Sequence, residues 1–148
     1  AGVCFDIEET NGGKELITAF ERTFAVLKKA GLDVMITTSH SAPYSAQTDE
    51  IRIGFVDSWV KSDDIDVISP QLYTSGAEGK PEFEASSGTS GPVGYEHYRR
   101  AKARFVPSIS TADQVDDIKE FFATKGVRVD GFVQWQPAPR VPVAPVAP

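Results

Sequence analysis

Two carboxylates set two residues apart in an apolar run are the first feature of this chain that could do chemistry. Asp6 and Glu8 lie in residues 2–9, whose apolar and β-branched content predicts a strand. Because side chains alternate between the faces of a strand, both acids are expected on one face together with Cys4. Neighbouring like charges do not both ionise easily, so one of the two carboxyl groups should keep its proton near neutrality. That group is a candidate general acid.

This stretch resembles the catalytic strand of glycoside hydrolase family 18, the chitinase-like (β/α)8 barrels. The family pattern is D-x-x-D-x-D-x-E, and its last two acids fall on Asp6 and Glu8. Its first two acids fall on Ala1 and Cys4, so half of the acidic signature is present. The resemblance makes Glu8 the proton donor.

Length and charge restrict the class of protein. With 148 residues and 41% apolar content the chain can bury one core, as one domain or part of one. A net charge of −6, without a basic cluster, argues against a nucleic-acid partner. No apolar stretch approaches the roughly 20 residues of a membrane span, and the first residues do not resemble a signal peptide. The single cysteine, Cys4, excludes an internal disulfide and is expected to be a small buried residue.

Hydrophobic periodicity predicts alternating strands and helices. Strands are predicted at residues 2–9, 33–39, 66–74, 104–110 and 130–136. Four helices are predicted. The first lies at residues 14–30 and the third at residues 95–102. The second begins after a cap at Thr48 or Asp49, and the fourth after a capping box formed by Thr111 with Gln114. The Gly- and Ser-rich residues 75–94 are too long for an ordinary connection, which indicates a lid or rim. The Pro- and Val-rich residues 137–148 are predicted to form an extended linker or tail.

This order predicts an α/β fold with five parallel strands and four intervening helices, as an open sheet or a barrel. The family resemblance selects the barrel. It implies that residues 1–136 are the C-terminal portion of a (β/α)8 TIM barrel, strands four to eight, with the first three strands and the last helix absent from the chain. The first strand would then be an unpaired edge, so we expect association with another chain or with the missing half-barrel.

The same resemblance implies roles for two aromatic residues. Tyr73 matches the active-site tyrosine of the sixth strand and Trp135 the tryptophan beneath the substrate in the eighth. Each taken singly also suits core packing, so the prediction depends on their joint placement at the carboxyl ends of strands. Gln71 shares the face of Tyr73 and is expected either to bind a sugar or to be a buried amide bonded to backbone. His40, where the second strand meets its loop, is assigned to substrate binding.

The resemblance implies a retaining, substrate-assisted glycosidase for β-1,4-linked N-acetylglucosamine polymers, without a cofactor or metal. Glu8 would protonate the glycosidic oxygen while the 2-acetamido carbonyl of the substrate attacks the anomeric carbon. Asp6 and Tyr73 would stabilise the acetamido group, and Trp135 would stack beneath the sugar.

The alternative is a catalytically weakened or inactive chitinase-like protein that binds carbohydrate or has a structural role. Retained Asp6 and Glu8 favour the enzyme, whereas Ala1 and Cys4 favour the binding protein. The Pro-rich tail and the resemblance together predict an extracellular or cell-wall location.

Overall fold

The structure, a computed structural model, describes residues 1–89 and 91–136. The tail predicted at residues 137–148 lies outside the described residues. The described part is an α/β fold whose parallel sheet curls into a half-barrel, with helices between the strands.

Apart from the second strand, which has the predicted bounds of residues 33–39, the strands are shorter than the sequence patterns predict. The three long ones are β1 (Gly2–Asp6), β2 (Asp33–Ser39) and β3 (Val67–Gln71). A small antiparallel hairpin follows, formed by β4 (Ser87–Gly88) and β5 (Gly91–Pro92). The sheet resumes with β6 (Arg104–Phe105), β7 (Ser108–Ile109) and β8 (Val133–Gln134).

The sheet order is β1-β2-β3-β7-β8, with β6 also paired to β3, and every pairing within it is parallel. β6 and β7 together occupy the position of the fourth predicted strand, so the sheet is five strands wide. The interruption falls at Val106 and Pro107, because proline has no N–H to give to the ladder. Pro70 is tolerated inside β3, where it lies opposite Thr38 of β2.

Three α-helices separate the strands: α1 (Lys14–Lys29), α2 (Asp49–Lys61) and α3 (Val115–Thr124). α1 ends before Gly31, whose φ of 77° suits glycine. The Thr48 side chain caps α2 by accepting a hydrogen bond from the Ile51 N–H, as predicted.

Two of the predicted helices differ in detail. The one at residues 95–102 is a 3₁₀ helix, Tyr95–Arg100. The predicted capping box at Thr111 is wrong, because its hydroxyl bonds the Asp113 side chain and a 3₁₀ turn, Ala112–Gln114, comes before α3. The side-chain amide of Gln114 has other partners. Its oxygen accepts from the Ser110 N–H at 3.1 Å, and its nitrogen donates to the Glu78 backbone carbonyl at 2.7 Å. Tertiary contacts thus replace the local cap.

The core lies between the outer face of the sheet and the helices. Phe5 of β1 meets the rings of Phe20 and Phe24 of α1 edge-on, and Phe55 of α2 joins the same cluster. Val34 and Ile36 are fully buried on that face of β2. The even-numbered residues of β1 therefore face the other way, into the concave side of the half-barrel.

Residues 1–89 and 91–136 contain no helix that is long and apolar enough to cross a membrane.

Candidate active site

The carboxyl ends of the parallel strands form one rim, and the predicted site residues lie along it. β1 ends at Asp6, which is opposite Thr37 of β2, and Gln71 at the end of β3 is opposite Ser39 and Ser108. Because parallel strands present the same end to the same edge, side chains just after each strand lie close together.

Asp6 and Gln71 are in direct contact across the rim. The Gln71 amide donates a hydrogen bond to the Asp6 carboxylate, with 3.2 Å between Nε2 and Oδ1. Asp6 is exposed and Gln71 is half-buried, so both remain accessible from the concave side. Of the two roles left open for Gln71, the buried amide bonded to backbone does not fit, because the side chain is half-buried and its amide donates to Asp6. Sugar binding by Gln71 stays a prediction.

Glu8 lies two residues beyond the end of β1, in a bend rather than in the strand. Two backbone hydrogen bonds hold the bend in place. The Ile7 N–H donates to the Thr37 carbonyl at 2.8 Å, and the Tyr44 N–H donates to the Glu8 carbonyl at 2.9 Å. Its side chain is half-buried. The charges of Asp6 and Glu8 both contribute to the raised pKa of the Tyr73 phenol.

Tyr73 is buried, with 8% of its surface exposed. Burial raises the pKa of the Tyr73 phenol to about 12; a hydrogen bond with Ser108 opposes this, and the charges of Asp6, Glu8 and Glu78 add to it. The phenol is therefore a neutral hydrogen-bond donor throughout the physiological range. Ser108 is itself held by Ser69, with 2.8 Å between the two hydroxyl oxygens.

Trp135 follows β8 and stacks on Tyr73, with 5.6 Å between ring centroids and an angle of 30° between the rings. The indole is 61% exposed. A Cβ atom at Gly76 would collide with the indole, and Gly76 has a φ of 80°, so glycine is required there on two grounds. The Gln136 amide donates to the Gly76 carbonyl. The loop after β3 and the residues after β8 thus support the indole together.

Glu78 is the residue that holds this loop in place. Its carboxylate accepts hydrogen bonds from the Thr74 N–H, the Ser75 N–H and hydroxyl, and the Ser110 hydroxyl. Partial burial alone would raise the pKa of Glu78, but the hydrogen bonds from Ser75 and Thr74 outweigh it and lower the pKa to about 2. We call residues 74–78 together with the Ser110 contact the Glu78 clasp.

His40 is placed differently from the other candidates. Its φ of 47° is in the left-handed region, which is uncommon for a residue other than glycine. The ring nitrogen Nε2 lies 3.4 Å from the Glu82 carboxylate, and Nδ1 lies 3.3 Å from the Ser39 hydroxyl. Glu82 also accepts from the Thr74 hydroxyl at 2.7 Å. The ring therefore ties the end of β2 to the loop after β3 and does not join the contacts among Asp6, Gln71 and Tyr73.

The expectation of a buried Cys4 is wrong, because the thiol is exposed on the concave face. β1 is an outer strand with β2 as its one partner in the described residues, so that face is not covered. Partial burial and the charge of Asp6 nevertheless raise the pKa of the Cys4 thiol.

Residues 75–94, predicted to form a lid or rim, are anchored along the same edge. The Ser86 hydroxyl bonds the carbonyls of Ser39 and Ala42 at 2.9 and 2.7 Å, and the Ser86 N–H donates to the Ser41 hydroxyl at 2.8 Å. This segment is thus attached to the loop after β2 as part of the rim.

The rim carries two carboxylates, a neutral phenol and an exposed indole, which are groups able to transfer a proton, donate a hydrogen bond and pack against a flat ligand. Within residues 1–89 and 91–136, no group of three His, Cys, Asp or Glu side chains could hold a metal ion.

Sequence reasoning missed Ser108 and Glu78. Period-two alternation places Ser108 on the concave face and could have found it, whereas no local signal marks Glu78.

Comparisons with protein-family models, curated proteins and solved structures found no match to this chain.

Proposed function

We propose that this chain contributes the catalytic rim of a glycosidase that resembles family 18 and cleaves β-1,4-linked N-acetylglucosamine polymers with retention of configuration. The single observation that carries the proposal is that Asp6, Tyr73 and Trp135 lie on one rim at the carboxyl ends of parallel strands, with Glu8 two residues beyond the end of β1. Barrel enzymes collect their catalytic groups at this edge.

Each residue has a role that agrees with its surroundings. Glu8 protonates the glycosidic oxygen as the 2-acetamido carbonyl of the substrate attacks the anomeric carbon, so that no protein nucleophile is used. Asp6, oriented by Gln71, stabilises the acetamido group as it gains positive charge. Tyr73 donates a hydrogen bond to the same group, which its protonated phenol permits. Trp135 stacks beneath the sugar with its exposed face.

We also propose that the half-barrel is the strand-four-to-eight portion of an eight-stranded (β/α)8 barrel. Its curl and parallel order support this, because such a sheet closes when further parallel strands join its two outer strands, β1 and β8. The partners implied are a polysaccharide or oligosaccharide and the strands that complete the barrel. An extracellular or cell-wall location follows from the same resemblance.

The second candidate function is a non-catalytic carbohydrate-binding or structural protein. The observation that favours it is the exposed thiol of Cys4 beside Asp6, where the family pattern has an acid. The side chain that contacts the Asp6 carboxylate is instead the Gln71 amide. Binding by Trp135 and Tyr73 would persist even if turnover did not.

The test compares Glu8→Gln with the wild-type chain on N-acetylglucosamine oligomers. The amide keeps the shape of the side chain but cannot supply a proton, so cleavage should fall by roughly 10²–10⁴ while binding is retained. Glu50→Gln, an exposed carboxylate in the first turn of α2, is the matched control and should leave the rate unchanged. Wild-type cleavage that survives Glu8→Gln would refute the catalytic role, and oligomer binding without cleavage would favour the second candidate.

A further inference from the structure

A group of basic side chains lies at the amino ends of the parallel strands, at the opposite end of the sheet from the rim of the candidate active site. Arg104 begins β6, where it is opposite Val67 at the start of β3. The other members come from the end of the 3₁₀ helix, from the bend before β6 and from the residues before β8. We call these four residues the basic cluster: Arg99, Lys102, Arg104 and Arg128.

Sequence reasoning missed this group. Four of the six residues 99–104 are basic, so the statement that the chain lacks a basic cluster is wrong. The net charge of −6 conceals the group, because the 21 acidic residues all lie outside this segment.

The basic cluster lines a cavity of about 220 Å³. Asp130 is the one acidic residue in the lining, so the cavity carries an excess of positive charge within an acidic protein. Its volume is many times the roughly 10–15 Å³ that one water molecule needs, which leaves room for a group of several heavy atoms.

Two of the guanidinium groups are held at the cavity by contacts to well-anchored partners. Arg128 forms an ion pair with Asp130, whose other carboxylate oxygen accepts from the Phe105 N–H at 3.1 Å. The Asp130 N–H also donates to the Phe105 carbonyl at 2.8 Å, so this ion pair is fixed to β6. Arg99 donates from Nε to the Lys125 carbonyl at the end of α3.

Arg104 has no such compensation. Its guanidinium is exposed, and it forms no ion pair within residues 1–89 and 91–136. The Arg104 N–H donates to the Asp66 carbonyl at 3.0 Å, but both oxygens of the Asp66 carboxylate bind Lys28, at 2.7 and 2.8 Å. The acid next to Arg104 is thus already paired elsewhere.

Lys102 is available to a ligand as well. Its ammonium lies 2.7 Å from the Asp63 carboxylate, and both side chains are more than half exposed. An ion pair in water contributes little to stability, so Lys102 can turn toward a bound anion at small cost.

The chemistry of these groups favours a compact oxyanion. A guanidinium presents a rigid fork of N–H donors that matches two oxygens of a phosphate group. Nucleic acid is disfavoured, because the carboxylates of Asp63 and Asp130 interrupt the positive surface along which its phosphate backbone would have to run.

We propose that the basic cluster is a binding site for the phosphate group of a small molecule, either the free ion or a phosphate monoester. Arg104 supplies the uncompensated charge, and Arg99, Lys102 and Arg128 complete the ring of donors. The proposal goes beyond the proposed glycosidase and does not depend on it, because the two sites lie at opposite ends of the sheet.

The experiment titrates the full chain with inorganic phosphate and, separately, with glucose 6-phosphate, by calorimetry at an ionic strength held constant with sodium chloride. The wild type should bind at least one of the two saturably. Arg104→Gln should weaken that binding roughly tenfold or more, and Arg104→Lys should weaken it less, because the charge is kept and only the fork is lost. Arg100→Gln is the matched control, since Arg100 is an exposed arginine that does not line the cavity.

The two probes also distinguish the source of the phosphate group. Tighter binding of glucose 6-phosphate would identify a monoester as the ligand, and equal or weaker binding would identify the free ion. A wild type that binds neither probe saturably would overturn the proposal. Equal weakening by Arg100→Gln and Arg104→Gln would also overturn it, because diffuse surface charge would then account for the binding.

Discussion

Tyr73 is a rim residue whose protonation is controlled by its surroundings. Burial and three nearby acidic side chains favour the neutral phenol, with a pKa of about 12, against an ordinary value near 10. A donor that does not ionise at working pH can hold the acetamido group in position for attack without adding a basic limb to the pH profile.

We predict that Tyr73→Phe lowers kcat by roughly 10², the cost of removing one preorganised donor, while substrate binding changes little because the ring stack with Trp135 is kept. The pH profiles of the wild type and of Tyr73→Phe should have the same shape from neutrality to about pH 10. A basic limb that disappears in Tyr73→Phe would contradict the assignment of a neutral phenol.

Cys4 occupies a position where the family pattern has an acid. We predict that Cys4→Asp raises kcat by roughly tenfold, equivalent to about 1.4 kcal/mol of transition-state stabilisation. The exposed position leaves room for the carboxylate. Cys4→Asn, which is similar in shape but uncharged, is the control. A chain that shows no turnover with either residue belongs to the carbohydrate-binding class.

At the scale of elements, the Glu78 clasp connects the loop after β3 to the end of β7. Four donors surround one carboxylate, and Gln114 fixes the backbone of the same residue. Because Gly76 lies within the clasp and touches the indole, the clasp also positions Trp135. The fold of one loop thus decides where the exposed indole of Trp135 lies.

The lowered pKa of Glu78 in the Glu78 clasp makes the free energy of unfolding depend on pH. The folded-state pKa of Glu78, about 2, is below its unfolded value of 4.5, so its stabilisation is complete above about pH 4.5 and is lost as the pH falls through 2. We predict that Glu78→Gln is less stable than the wild type at neutral pH and that this difference shrinks on acidification. Urea unfolding at several pH values measures it. A difference that stays constant down to pH 2 would show that the charge is not what holds the clasp.

At the scale of the whole molecule, the half-barrel has two outer strands and an open concave face. In β1 the N–H groups of the odd-numbered residues point to β2, as the Ile7 bond to Thr37 shows. Those of Cys4 and Asp6 therefore point to the outer edge, where the described residues provide no strand partner. Such an edge is a template for pairing with another chain.

We predict that the chain alone sediments above its monomer mass of 16.0 kDa, through pairing at β1. Cys4→Pro should reduce the associated fraction, because proline removes an outward N–H and leaves the bonds to β2 intact. Cys4→Ala controls for loss of the thiol. A wild-type chain that is monodisperse as a monomer would contradict this prediction.

Much of the fold could be predicted from local pattern. The bounds of β2 and the cap of α2 at Thr48 agree with the structure, because alternation and capping are properties of neighbouring residues. Period-two alternation likewise placed Asp6 on the concave side, whereas Glu8 lies in a bend beyond the end of β1. The positions of Tyr73 and Trp135 near strand ends were expected from the family resemblance. The local capping rule failed at Thr111, because its hydroxyl bonds Asp113 and the Gln114 side chain bonds the Ser110 N–H and the distant Glu78 carbonyl.

What only the tertiary structure decided is the set of contacts between distant parts of the chain. The bond from Ser110 to Glu78 and the stack of Trp135 on Tyr73 join segments more than 30 residues apart. The hydrogen bond from the Tyr44 N–H to the Glu8 carbonyl likewise joins two loops that no local pattern connects. Local propensity is a property of near neighbours and carries no information on which loops meet. That is set by how the strands pair and how the helices pack on them, because this packing brings the strand ends to one rim.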